Sequence, residues 1–210
     1  MKYYKVLSNL KINNSLLEDL KSIDWAKQKQ AFKIDYVDTL KNLIKSKVPV
    51  WYAIKFYGIF FQKISNFSTI KISTSLEEEI YNNWPFLKNM PELPIIRLQI
   101  VYGGNRVPLH IDKTRSVSLI YPLKNHNTAI TNFYKSNQTY PQRGAVNPET
   151  CELVDSIKIS QDPVLLNVDQ IHDVVFPTNK IDIKDARISL NLKWERMKFE
   201  EVLYFFNDTK

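Results

Sequence analysis

From residue 187 to 194 apolar and polar positions alternate without a break. Ile188, Leu190, Leu192 and Trp194 fall on one face, and Arg187, Ser189 and Asn191 on the other. A period of two is that of a β-strand buried on one side. Residues 94–102 carry another β-rich run (Ile95, Ile96, Leu98, Ile100, Val101), which Gly103-Gly104 breaks and residues 107–111 resume. Two further apolar runs, Val164-Leu165-Leu166 and Val174-Val175-Phe176, read as strands of the same core. Ahead of these the pattern is helical. Ser15-x-x-Glu18 reads as a capping box opening a helix with Leu16, Leu17, Leu20 and Ile23 on one side. A second helix is predicted from residue 35 to about 45, stopped ahead of Pro49, and the aromatic run 51–61 reads as more strand-like than helical. Ser75-x-x-Glu78 repeats the capping box for a short helix that Trp84-Pro85 ends.

Helices first and strands after predict an α+β fold, a helical buttress against a barrel-like sheet. At 210 residues one domain is expected. Residues 1–93 would form the buttress and first strands, 94–196 the β core, and 197–210 a C-terminal extension.

The strands carry the candidate chemistry. His110 and Asp112, two apart on a strand, point to the same face and can share one ion. His172 stands 62 positions on, so several intervening strands must return the chain to the same place, which suits a closed or sandwiched sheet. Two imidazoles and one carboxylate match the facial triad that holds non-haem Fe(II) and leaves coordination positions open. On the last strand Arg187 and Ser189 share a face and make a clamp for a carboxylate: the guanidinium gives two parallel charge-assisted hydrogen bonds and the hydroxyl a third. A small dicarboxylic co-substrate is what such a clamp would hold.

The order Tyr102, His110-x-Asp112, His172, Arg187-x-Ser189 on a strand-rich scaffold resembles the Fe(II)/2-oxoglutarate-dependent oxygenases, and most closely their prolyl-4-hydroxylase-like branch, including small phage-encoded members. The matching part runs from about residue 94 to 194. The resemblance implies a double-stranded β-helix, or jelly roll, with buttressing helices. It implies that His110, Asp112 and His172 bind iron, that Arg187 pairs with the distal carboxylate of 2-oxoglutarate, and that Ser189 and Tyr102 assist. Fe(II), 2-oxoglutarate and O2 would be the cofactor and co-substrates, and hydroxylation of a C–H bond the reaction. The separation of His172 and Arg187 is longer than the family usually has, and residues 178–185 look like an inserted turn.

A prolyl or other amino-acid residue in a peptide or protein is the leading substrate by similarity, with Arg115, Tyr140 and Arg143 of the neighbouring loops and Trp194 as candidate contacts. Oxidative demethylation of alkylated nucleic acid is the runner-up. That branch carries a second Arg six positions after the first, where this chain has Lys193. A small metabolite is a third candidate, and a non-catalytic cupin-like metal-binding module a fourth reading. A closed structural zinc site would call for a fourth ligand, which Cys151 alone and a loop-borne His126 do not supply. His126 is read as a solvated loop residue, Asp169 and Asp173 as turn and strand-edge residues, and Arg97, Arg106 and Arg115 as rival carboxylate partners.

Charge changes the picture only at the N-terminal end. Residues 1–72 hold thirteen Lys, no Arg and five acids, whereas the remainder is close to neutral. Phosphate contact by that Lys-rich third is one reading. The absence of Arg, the better fork for phosphates and bases, favours solvated helix faces instead. A single cysteine argues against a disulfide-stapled scaffold. No apolar run approaches the ~20 residues of a membrane helix, and the N-terminus lacks the apolar core of a signal peptide. A cytoplasmic protein without membrane contact is expected.

Overall fold

The computed structural model describes residues 2–24, 36–57, 67–101, 107–126, 129–139, 143–176 and 186–207. Among these residues eleven strands form two antiparallel sheets: β1 (Tyr4–Val6), β2 (Phe67–Lys71), β3 (Ile95–Val101), β4 (Val107–Ile111), β5 (Val117–Lys124), β6 (Ile130–Ser136), β7 (Gly144–Ala145), β8 (Cys151–Lys158), β9 (Val164–Asn167), β10 (Ile171–Val175) and β11 (Arg187–Trp194). The larger sheet has the order β1-β9-β5-β11-β3-β2, and the smaller β7-β4-β10-β6-β8. With the helices outside them, the sheets make an α+β fold.

The alternation of β11 explains the layering. Leu190, Leu192 and Trp194 meet Leu98 and Ile100 of β3 and the apolar faces of three helices: Asn14–Ser22 through Leu16 and Leu20, Thr74–Asn83 through Ile80, and Phe199–Asn207 through Val202 and Phe206. This is the main core, and it lies on the outer side of the larger sheet. The C-terminal segment is therefore part of the core, through a helix seated where Glu92 accepts the backbone N–H groups of Glu195, Arg196 and Met197 at 2.9, 3.0 and 3.1 Å. On the inner side the two sheets face each other across Ile120, Phe133, Ile157, Val164 and Leu166, and across Val101, Phe176, Val107 and Val174. Among the described residues no helix is long and apolar enough to cross a membrane.

Three local readings of the sequence are corrected. Both capping boxes sit two residues too late. The caps are Asn13 and Ser73, in extended backbone, whose side chains accept from Leu16 and Leu76 N–H, while Ser15 and Ser75 lie inside the first turn. The start of the 51–61 run is helical, with Val50–Tyr52 continuing into a π-helical turn Ala53–Tyr57, and residues 58–61 lie outside the described part. Tyr52 is buried there, and its hydroxyl accepts the Leu109 N–H at 3.0 Å beside His110.

The helix Tyr36–Lys45 is fastened to the same edge. Asn42 donates to the Arg143 carbonyl at 3.1 Å and accepts the Ala145 N–H at 2.6 Å, wrapping Gly144, whose φ is +127°. A Cβ there would fall 2.6 Å from the Asn42 amide, so the glycine is required both by conformation and by space. Since β7 pairs Ala145 with His110, this contact backs the strand that carries the first histidine.

Candidate metal and carboxylate site

Three side chains separated in sequence come together on the smaller sheet. His110 of β4 and His172 of β10 are directly opposite one another, with ring centroids 4.3 Å apart, and the pairing slips by one residue immediately beyond them. Asp112 follows the end of β4, held there by a hydrogen bond from its N–H to the Val168 carbonyl at 3.2 Å. One ligand atom from each of the three lies within 4.8 Å of the others. His110 Nε2 and Asp112 Oδ1 are 3.3 Å apart, close to the separation of neighbouring donors around one transition-metal ion.

The protonation states suit a cation. His110 Nδ1 bonds the Pro108 carbonyl at 2.8 Å and His172 Nδ1 the Gln170 carbonyl at 2.9 Å. A carbonyl only accepts, so each Nδ1 donates and each Nε2 is turned toward the centre of the group, an orientation typical of metal-binding imidazoles. Burial, reinforced by His110, pushes His172 down to about 3 against the opposing pull of Asp112. Burial would raise Asp112, but Arg115 above all, with His110 and His172, holds it well below the usual carboxylate range. The Arg115 Nε grips Oδ2 and leaves Oδ1 toward the histidines. Among the described residues no fourth His, Cys, Asp or Glu joins the group, so a bound ion would keep open positions.

Arg187 begins β11 on the facing sheet, fully buried, its Cζ 5.9 Å from the Phe176 ring centroid. Among the described residues its Nε and Nη1 have no hydrogen-bond partner, and neither has the buried Ser189 Oγ. Burial lowers Arg187 from the usual guanidinium range to about 10. A guanidinium with unanswered donors inside a protein is a site for an anion. Val101, the residue paired with Arg187, packs with Val107 and Val174, and Val174 lies two positions from His172 on β10. The clamp and the triad therefore open onto one interior. Farther along β11 the same face continues as Asn191, which accepts from Ser118 at 2.8 Å and donates to Gln99, and then Lys193.

The other sequence candidates fall into place differently. Trp194 is withdrawn as a substrate contact: it is wholly buried on the helix side of β11, against Phe206 at 6.0 Å. Arg143 pairs with Asp169 and donates to the Arg115 carbonyl and Ser116 Oγ, both at 3.1 Å, which braces the loop after Asp112. Asp169 is thus an ion-pair residue in the turn ahead of β10. Asp173 is no strand-edge residue. It is fully buried on the inner strand β10, accepting from Asn132 and Tyr134 at 2.9 Å each. Tyr102, Arg106 and Tyr140, like the turn 178–185, lie outside the described residues.

His126, read as solvated, is buried and belongs to the clamp's support. β11 slips in register against β5 between Ile188 and Ser189, opposite Pro122, which has no N–H to donate. There the Ile188 carbonyl takes the His126 Nε2–H at 2.6 Å, while Asn125 holds the Ala186 carbonyl at 3.1 Å. Burial and then Arg187 push His126 down to about 3. With His126 and His172 both neutral in the fold but titrating near 6.5 when unfolded, the unfolded chain binds more protons between about pH 6.5 and 3. The metal-free protein should lose stability as pH falls through that window. His126→Phe should lower the melting temperature at pH 7, because an unpaired buried carbonyl costs about 1–3 kcal/mol, yet flatten its pH dependence. Thermal melts from pH 7.5 to 4 read both effects, and an unchanged slope would contradict the assignment.

A scan of family models finds no match to this chain, and neither does a search of curated proteins. Among solved structures, Escherichia coli ycfD aligns with a TM-score of 0.41 at 10% identity, over 68% of this chain and 37% of that one. A prolyl-4-hydroxylase from Pseudomonas putida aligns with a TM-score of 0.38 at 11% identity, over 92% of this chain and 91% of that one. Hazelnut vicilin aligns at 0.36 and 5%, over 63% and 30%. The chain thus spans little more than a third of the length of ycfD. Similarity at this depth assigns neither a family nor a residue role, and the assignments rest on the side chains themselves.

Proposed function

We propose that the protein is an Fe(II)- and 2-oxoglutarate-dependent dioxygenase with a double-stranded β-helix core, hydroxylating a C–H bond of a prolyl or other amino-acid residue in a peptide or protein. The observation that carries this reading is the pairing, in one interior, of an open His-Asp-His group with a buried guanidinium and hydroxyl that lack partners. A metal-binding module needs the first and has no use for the second. His110, Asp112 and His172 would hold the iron, and Arg187 and Ser189 the far carboxylate of 2-oxoglutarate, with Tyr102 as a third donor. With these bound, decarboxylation of 2-oxoglutarate to succinate and carbon dioxide is coupled to transfer of one atom of O2 into the C–H bond, the other entering succinate.

The chain's own share is placement and exclusion of water. The two Nδ1–H bonds to Pro108 and Gln170 keep the imidazole rings turned toward one point. Arg115 keeps Asp112 ionised and one-sided. Phe133, its ring 6.2 Å from His172, and the apolar residues around it line the interior beside the histidines and keep water away. A cytoplasmic location, where iron stays ferrous and Cys151 reduced, fits this chemistry.

Metal analysis combined with a succinate-release assay tests the reading. The protein should bind one equivalent of Fe(II) and release succinate slowly from 2-oxoglutarate alone, with stimulation by a peptide substrate. Metal binding without any 2-oxoglutarate turnover would leave only the binding-module reading.

A further inference from the structure

The triad stands between two groups of cations, and the co-substrate answers only one of them. Arg187 lies toward the end of the interior marked by Val101, Val107 and Val174. Toward the opposite end lie Asp112 and the loop 112–116, tied to the end of β11 by the Ser116 N–H to the Trp194 carbonyl at 2.8 Å. There the larger sheet contributes Lys193, and Arg97, which is opposite Asn191 on β3. Both face inward and both are half-buried. Lys193 has no ion-pair partner among the described residues, and the hydrogen bond of Arg97 goes to the carbonyl of its own neighbour Ile96, at 2.7 Å. Arg115 spends its Nε on Asp112, but its Nη1 is buried without a partner among the described residues. The nearby acid Asp169 is taken by Arg143. Burial, then Arg115, with a smaller push from Arg97, brings Lys193 down to about 7 against the pull of Asp112, so these groups lie within electrostatic reach of one another. A metal dication at the triad would add to the excess.

We propose that the substrate presents a carboxylate to Lys193, Arg97 and the free Nη1 of Arg115, on the side of the triad away from Arg187. The inference rests on the oxygenase reading and sharpens its substrate class to an acidic one, where similarity alone pointed to neutral proline. Arg187 and Lys193 are six positions apart on β11, about 20 Å along the strand, so a diacid seated on Arg187 and the triad leaves the second group unanswered. Three cations gathered at one end of the interior, within electrostatic reach of one another, fit a single compact anion. A polyanion such as a nucleic acid would need cations strung along a surface.

The test uses pairs of equal shape and different charge: aspartate against asparagine and glutamate against glutamine, free as their N-acetyl amides, which removes the α-carboxylate, and within blocked hexapeptide pools, with a short single-stranded oligonucleotide as a further arm. Succinate release is measured with the iron-loaded protein, and binding by calorimetry with the zinc-loaded protein in the presence of 2-oxoglutarate. The acid of a pair should win by about tenfold or more, the scale of one charge-assisted hydrogen bond, with the free and peptide arms telling metabolite from protein side chain. Lys193→Met and Arg97→Met should remove that preference, while the binding constant of 2-oxoglutarate alone moves by less than about threefold. Equal response to acid and amide, a preference that survives both substitutions, or strongest stimulation by the oligonucleotide would overturn the proposal. So would a large loss of 2-oxoglutarate affinity in Lys193→Met, which would hand these cations to the co-substrate. If 2-oxoglutarate is not turned over at all, the oxygenase reading fails by itself, and the calorimetric arm still decides whether a carboxylate binds here.

Discussion

Asp112→Ala should lower the affinity for Fe(II) by more than about a hundredfold and abolish succinate release. Disturbing a residue that merely supports a metal ligand already costs about 10- to 100-fold, and here the sole anionic donor is lost. The loss is compounded by what remains. Arg115, now without its carboxylate, would face the ion directly, and two neutral imidazoles offer no charge against a dication. Asp112→Asn separates the two effects, since it keeps an oxygen donor in place but removes the charge that Arg115 and the metal share. Equilibrium dialysis with Fe(II) or Co(II) and the succinate assay read both variants. Full succinate release by Asp112→Ala would remove the triad from the mechanism.

The parts of this site legible in the sequence are those that strand periodicity controls. A period of two puts His110 and Asp112 on one side and Arg187 and Ser189 together, and the sheets keep that alternation. The same rule placed Trp194 opposite Arg187, so its burial among the helices could have been read from its own strand. Lys193 was equally visible on the inward face of β11. Its meaning was not, because the cations around it come from β3 and from the loop after β4, and that meeting depends on strand order.

His126 and Asp173 were misread for a common reason. Polarity along the chain argues for solvent, but a polar side chain is buried when the fold supplies partners, and those partners are remote: Ile188 for His126, Asn132 and Tyr134 for Asp173. The helix caps failed differently. Asn13 and Ser15, or Ser73 and Ser75, are equally good cap residues, and the choice falls to whichever residue the incoming chain leaves in extended backbone.

Arg187→Met carries the second large effect, and it has opposite signs in the two states of the protein. A carboxylate held by two parallel bonds from a buried guanidinium loses about 3 kcal/mol or more when the partner is truncated, so the affinity for 2-oxoglutarate should fall by about a hundredfold or more. Metal binding, which depends on the facing sheet, should persist. In the absence of 2-oxoglutarate the same substitution should stabilise the fold, because Arg187 is buried with two donors unanswered and is held down to about 10 by that burial. Replacing it with an apolar chain of similar length removes a desolvated charge, a gain of about 1–3 kcal/mol by comparison with other buried ionic groups. Thermal melts with and without 2-oxoglutarate should therefore cross: the wild type melts lower when free and higher when saturated, and the variant hardly responds to the ligand. A variant that melts lower than wild type in both conditions, with unchanged affinity for 2-oxoglutarate, would make Arg187 a structural cation and transfer the clamp to another arginine.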